Sequence, residues 1–439
     1  MTWDPSKLVD NDNIYPTPSQ ALPAYQESYV DQTFGVTVTR ISDDDGKPIA
    51  GTTGKWGKVN RHGYSTRQAW NCNQSKLFLD TIKEGQASGG GVIVEGEPPY
   101  APLGLQAGVP SGGYYIWHPS DPDLTYYASG AVFGTWNPLT GVKKTIRTFS
   151  GYSSLAFGPG KGAFAADKDM IVLTGTLGGQ KSFFAYRVST DEKFPDIAFS
   201  SLSSSGAPYA RIAADGETIV CNWEDEIDKV VSLEGELLQT FDSSMVSHYD
   251  TALDSAGDSF IVGRSRGCGV GGEVYKADTN TGELTKIQTR TGYATHTSAR
   301  GVDQEGEPWV LVTFENDSGN GGKRIYNDEA VLMRMDGTKN CRVGHLRSTA
   351  PGDYESEIQA CLSPTADRFV SRCAWGNPAL PNPRPINTFV YDWRALAGNG
   401  GNGGGNGETA NLTMAISADR PVNLAISADQ SVKIIVNQT

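Results

Sequence analysis

The sequence predicts an all-β protein: a seven-bladed β-propeller carrying a short C-terminal β-repeat. Three observations point there. The chain has 439 residues with 52 glycines and 23 prolines, and no long helical pattern, a mix that suits many short strands joined by tight turns. A polar approach, an Asx/Gly turn and an apolar strand recur along the chain. The turns fall near residues 74, 121, 159, 216, 257, 306 and 366, about 49 residues apart, close to the ~40–50 of a four-stranded blade.

Five copies of the repeat are strong. They run Gln68-Ala-Trp-Asn-Cys-Asn-Gln-Ser-Lys-Leu-Phe-Leu79, Arg211 to Val220, Ala252 to Val262, Val302 to Val312 and Cys361 to Val370. Two degenerate copies fill the gap: Trp117 to Tyr127, and Leu155 to Val172 with its turn assigned to Gly158-Pro-Gly-Lys-Gly162. Second hairpins follow at Val132 to Gly141 and Glu273 to Glu283. A propeller closes because each blade buries both sheet faces against its neighbours.

Residues 1–33 fit no blade. Their Tyr15-Pro-Thr-Pro and Leu22-Pro-Ala-Tyr runs predict an extended surface arm, leading into a strand within Phe34 to Ile41 and a propeller over 34–397. Residues 398–407 are all Gly and Asn, a flexible linker by composition. Beyond it Ala415-Ile-Ser-Ala-Asp419 recurs as Ala425-Ile-Ser-Ala-Asp429, and alternating apolar residues predict three short strands over 408–439. So few residues bury no useful core alone. The tail is therefore expected to pack on the propeller, on an anchoring partner, or on copies of itself as a homo-oligomer.

Composition excludes several function classes. The net charge of −13 repels phosphates and disfavours nucleic acid. No stretch reaches the ~18 apolar residues of a membrane span. The start, Met1-Thr2-Trp3-Asp4-Pro5-Ser6, lacks the basic and apolar regions of a secretory signal. The six cysteines include no CxxC, so neither a zinc knuckle nor a redox motif is indicated. Cys72, Cys221 and Cys361 are assigned to core strands.

Aligning the copies on their turns brings polar residues into one register. The position ten residues before Gly216 corresponds to Tyr64, His296 and Glu357, with His248 within one residue of it. Equivalent blade positions lie on a ring about the propeller axis, so these side chains are expected at one channel mouth, the usual ligand site. Arg61, His62, Arg67 and Gln68 flank Tyr64; Tyr249 and Asp250 follow His248; Arg300 follows His296; Glu355 and Gln359 flank Glu357. His118, before Pro119, and His345 are given structural places only.

Tyr64-Ser-Thr-Arg-Gln-Ala-Trp-Asn, Ser247-His-Tyr-Asp, His296-Thr-Ser-Ala-Arg and Leu362-Ser-Pro-Thr-Ala-Asp-Arg resemble the blade motifs of TolB-like propellers, and most of all propeller polysaccharide lyases of the oligogalacturonate- and ulvan-lyase type. The resemblance spans about 60–390. It implies β-elimination: a Tyr or His removes the proton α to a uronic carboxylate, while an Arg, His or metal neutralises that carboxylate. Such chemistry needs a cation beside the carboxylate and a base within hydrogen-bond reach. Tyr64, His248 and His296 then stand as catalytic candidates, and Arg61, Arg67, Gln68, Tyr249 and Arg300 as substrate contacts. His248, His296, Glu357 and Gln359 offer an alternative ligand set for a divalent ion such as Ca, Mn or Zn. The last blade reads Ser-Pro-Thr-Ala-Asp where the pattern prefers Ser-Pro-Asp-Gly.

Two functions follow. One is a polysaccharide-binding or receptor-binding propeller, a fibre or spike component on a virion or cell surface, outside the cell; the tail repeat is similar to phage-fibre appendages. The alternative is a lyase cleaving uronic-acid glycans.

Overall fold

The computed structural model describes residues 3–82, 90–111, 115–157, 164–202, 209–222, 229–241, 247–265, 273–288, 294–315, 324–348, 354–376 and 385–398. Seven antiparallel sheets follow one another along the chain, each the blade of a propeller. Blades 1, 2, 4, 5 and 6 each have four strands in simple up-and-down order. Their innermost strands are Val59–Arg61, Tyr115–Trp117, Tyr209–Ile212, Ser247–Leu253 and Ala294–Val302. Blade 3 starts at Tyr152–Ala156 and adds a short fifth strand, Ile197–Ala198. Blade 7 joins two distant segments, and the arm expected over 1–33 is corrected at Ser28–Val30, which forms this blade's outer strand. Cys361–Leu362, Arg368–Cys373 and Asn387–Asp392 are completed by Thr37–Arg40 and then Ser28–Val30. Thr37 pairs with Asp392 and Arg40 with Phe389, so the start of the chain seals the ring.

Each expected inner hairpin is present, six at the assigned turn. Gly216, Gly257 and Gly306 hold φ between +79° and +89°, a left-handed conformation glycine adopts without Cβ strain; Ala366 and Gln74 take it in blades 7 and 1. Blade 3 differs. Its turn lies at Asp167–Asp169, with Lys168 at φ +61° and the Met170 N–H donating to Asp167 Oδ1 at 3.3 Å. An Asx turn does the work of a left-handed glycine here, and the glycines at 158–162 lie outside the described residues. Cys72 is also corrected: it sits half-buried in a turn, whereas Cys221 and Cys361 are buried in strands.

The core lies between blades. Side chains alternate along each strand, and both faces are apolar because both are covered. Val220, Val230, Ile261 and Ala277 join blades 4 and 5, and Ile171, Leu173, Phe133 and Tyr126 join blades 3 and 2. Trp3 packs against Trp309 and Trp393, with ring centroids at 5.4 and 6.0 Å. It ties the first residues to blades 6 and 7. Beyond Trp3 the arm is held by polar groups. Arg342, fully buried, forms a two-pronged pair with Glu329 and donates to the Asn13 carbonyl at 2.6 Å. His345 Nδ1 lies 2.9 Å from Asp31 Oδ2, both buried. No helix among the described residues is long and apolar enough to cross a membrane. The predicted strand repeat at 408–439 lies outside the described residues.

Candidate active site at the channel mouth

Two histidines stand at bulges in inner strands. In blade 5 the pairing register shifts between Ser247 and Asp250, and His248 between them takes φ +50°. In blade 6 the register shifts between Ala294 and His296. A bulge re-aims a side chain that regular alternation would direct elsewhere, and a left-handed non-glycine residue marks a local constraint. The Thr297 hydroxyl donates to the His248 carbonyl at 2.7 Å, tying the two strands together.

Tyr64 follows the first strand of blade 1 and meets both. Its Oη lies 3.3 Å from His248 Nδ1, and its ring stands edge-on to His296 at 5.5 Å. The two imidazoles are 4.7 Å apart and nearly perpendicular. Glu357 Oε2 is 3.9 Å from His296 Nε2. The four residues that share a blade register in the sequence are therefore neighbours in space. Burial pushes the Tyr64 phenol well above its ordinary value, and Tyr354 adds to this. Tyr64 is thus a protonated donor at neutral pH.

The flanking residues are placed less uniformly. Arg61 pairs with Glu355, and the buried Arg372 reaches the same carboxylate at 3.1 Å. Arg67 donates from Nε and Nη2 to the Tyr115 carbonyl at 3.1 and 2.8 Å and lies over that ring. Gln68 donates to the Leu362 carbonyl at 3.1 Å, bridging blades 1 and 7. Tyr249 is buried under the Arg211 guanidinium. Arg300 pairs with Asp250 at 3.4 Å and donates to Thr251 Oγ1 at 2.6 Å and to the Phe164 carbonyl. Gln359 is buried. Among the described residues no three His, Cys, Asp or Glu side chains are gathered as metal ligands. Of the expected ligand set, His248, His296 and Glu357 are neighbours and Gln359 is buried.

The sequence pattern did not single out three further groups. Arg372, from the second strand of blade 7, donates to the Glu357 and Tyr354 carbonyls at 3.0 and 2.7 Å. Glu315, at the end of the second strand of blade 6, accepts the Ile358 N–H at 2.8 Å. Burial drives its carboxyl up to about 7 despite that bond, and Glu357 pushes the same way. Thr313, two residues earlier, donates to the Ile358 carbonyl at 3.3 Å and accepts the His296 N–H at 3.2 Å. The strand Pro308–Phe314 and the residue after it therefore set the spacing of His296 from Glu357.

His62 lies behind this cluster, fully buried. Burial, and then Arg372, drive its imidazole from 6.5 down to about 3. The unfolded chain protonates this ring below about 6.5 and the folded chain does not. The stability it contributes is whole above that pH and is lost as pH falls towards about 3. In acid the wild type should lose unfolding free energy faster than His62→Gln, by about 1.4 kcal/mol per pH unit. Urea unfolding from pH 7 to 4 measures this; parallel pH slopes would contradict it.

No protein-family model matches the chain, and no curated protein matches it. Solved structures share the fold. An oligogalacturonate lyase in complex with manganese superposes with a TM-score of 0.56 at 12% identity, covering 84% of this chain and 96% of that one. An oligogalacturonate lyase from Vibrio parahaemolyticus gives 0.56 at 13%, covering 83% and 96%. At such identity the likeness is one of fold.

Proposed function

We propose that the channel mouth binds a uronate-containing polysaccharide and cleaves it by β-elimination. The observation that carries the reading is the Tyr64–His248–His296 group, a proton donor set against two imidazoles. The fold shared with oligogalacturonate lyases supports it. A histidine takes the C5 proton, the electron pair forms the C4–C5 double bond, and the C4–O bond breaks. The Tyr64 hydroxyl gives its proton to the departing oxygen. The C5 proton becomes removable only when the neighbouring carboxylate charge is offset. Arg61, whose side chain is 20% exposed beside Glu355, is the guanidinium proposed for that task.

Incubation with pectate, alginate and ulvan should raise ultraviolet absorbance from the unsaturated product with at least one of them. A flat trace with all three would remove the elimination reading.

A second reading is a polysaccharide- or receptor-binding propeller without catalysis, serving as a fibre or spike component on a virion or cell surface, anchored or assembled through 408–439. One observation favours it: Arg67 and Arg300 are committed to protein partners, which weakens the charge offset that elimination needs. Measurable glycan binding with a flat absorbance trace is its signature.

A further inference from the structure

We infer that the track holding residues 3–23 is a peptide site that reads extended, proline-bearing main chain, and that the arm of a second copy of this chain is its exchange partner. The inference is independent of the proposed elimination.

The arm lies on blades 6 and 7 as a ligand lies on its receptor. From Ile14 to Leu22 only Tyr15 and Thr17 are half-buried, and the rest are exposed. The groups that hold this stretch belong to the propeller. Arg342 donates to the Asn13 carbonyl at 2.6 Å, Arg40 to the Pro23 carbonyl at 3.2 Å and Arg347 to the Pro18 carbonyl; all three arginines are buried. Trp375 Nε1 donates to the Gln20 carbonyl at 3.0 Å. From Ile14 to Pro23, among the described residues, the propeller takes carbonyl oxygens and no main-chain N–H. Pro16, Pro18 and Pro23 have no N–H to leave over, and they hold the backbone near the extended form. Aromatic-lined grooves take proline-rich segments in this preformed shape. Here Trp375 and Tyr29 flank Arg347, their rings 5.3 and 5.6 Å from its guanidinium.

The side-chain keys are few. Trp3 packs between Trp309 and Trp393, Leu8 is buried, and the Thr17 hydroxyl donates to Asp328 Oδ2 at 2.8 Å. A second copy carries the same keys at the same spacing. One turn, residues 24–27, joins the arm to blade 7; Glu27 N–H donates to the Ala24 carbonyl at 3.0 Å, and both residues are exposed. With that turn open, residues 3–23 span ~65 Å at ~3.1 Å per residue, enough to lie along the same track of a neighbour. Exchange then trades one set of contacts for an identical set, and concentration decides between them.

The test uses the full chain. A dye-labelled peptide of residues 1–24 is added to the wild type and to Trp3→Ala, whose own arm lacks its key while its track is whole. Anisotropy should show binding about tenfold tighter or more to Trp3→Ala, because the tethered competitor is weakened. A peptide with Pro16, Pro18 and Pro23 replaced by glycine should bind about fivefold weaker or worse. One with the exposed Ile14 and Leu22 replaced by serine should stay within about twofold. Concentrated wild type should contain, by light scattering, a dimer that excess peptide returns to monomer; assembly through 408–439 would ignore the peptide. If Trp3→Ala fails to fold by circular dichroism, Thr17→Val takes its place. No binding to the variant, equal affinity for both chains, a glycine peptide as tight as the native one, or no peptide-sensitive dimer each overturns the inference.

Discussion

Replacing Asp250 with alanine should destabilise the propeller by about 3–5 kcal/mol, the usual cost of stranding a buried charge. Asp250 is fully buried on the inner strand of blade 5. Arg211 of blade 4 stands 3.5 Å from its Oδ1, and Arg300 of blade 6 stands 3.4 Å from the same oxygen. The carboxylate also accepts the Thr251 and Ala299 N–H groups at 2.9 and 3.0 Å. One side chain therefore pairs with two guanidinia from different blades and satisfies two backbone donors. Alanine leaves all four groups without it, in a site water enters at a cost. Asp250→Asn keeps the shape and an acceptor oxygen and should cost less. Chemical denaturation measures both; a loss below about 1 kcal/mol for the alanine variant would show that the arginines find other partners. In an Asp250→Ala background, Arg300→Met should restore part of the loss, because it removes one stranded cation.

Tyr64→Phe should lower turnover by about 10²–10⁴-fold, the range typical of a lost proton donor. The substitution removes one oxygen and keeps the ring edge against His296, so folding and substrate affinity should change little. The protonation state gives a second signature. Burial holds the phenol well above its ordinary 10, so this donor stays protonated through neutral and mildly alkaline pH. The wild type should therefore show no loss of turnover assignable to Tyr64 below about pH 10. Steady-state rates on the substrate found by absorbance, taken from pH 5 to 10, test both statements. A phenylalanine variant as fast as the wild type would take Tyr64 out of the chemistry.

Much of the architecture is legible in the sequence because it is local. Each inner hairpin is announced by its own turn residues, as Asp254 and Gly257 show: the Asp254 side chain accepts two backbone N–H groups and Gly257 supplies the left-handed residue. The mouth residues are legible for a related reason. Tyr64, His296 and Glu357 stand at one offset from their turns, and a ring of similar blades turns equal offsets into proximity. What depends on pairing between distant segments is not legible. Arg300 and Arg67 read as ligands for a substrate carboxylate, yet Asp250 and the Tyr115 carbonyl claim them. Arg372 carries no motif and matters only because blade 7 faces the turn at 354–357. The strand at 37–40 is visible as alternation, but its partner lies about 350 residues away.

That last pairing bears on how the protein is made. Thr37–Arg40 leaves the ribosome about 350 residues ahead of the strand it completes, Asn387–Asp392. At about 5–20 residues per second, the early strand waits on the order of tens of seconds with its edge groups unmatched. Blades 1 to 6 can fold in order as they emerge, whereas the seventh forms only when 28–40 and 361–392 are both present. A nascent chain stalled before residue 387 is therefore an open arc with two bare sheet edges, and a cell translating this message must keep those edges from finding each other on neighbouring copies.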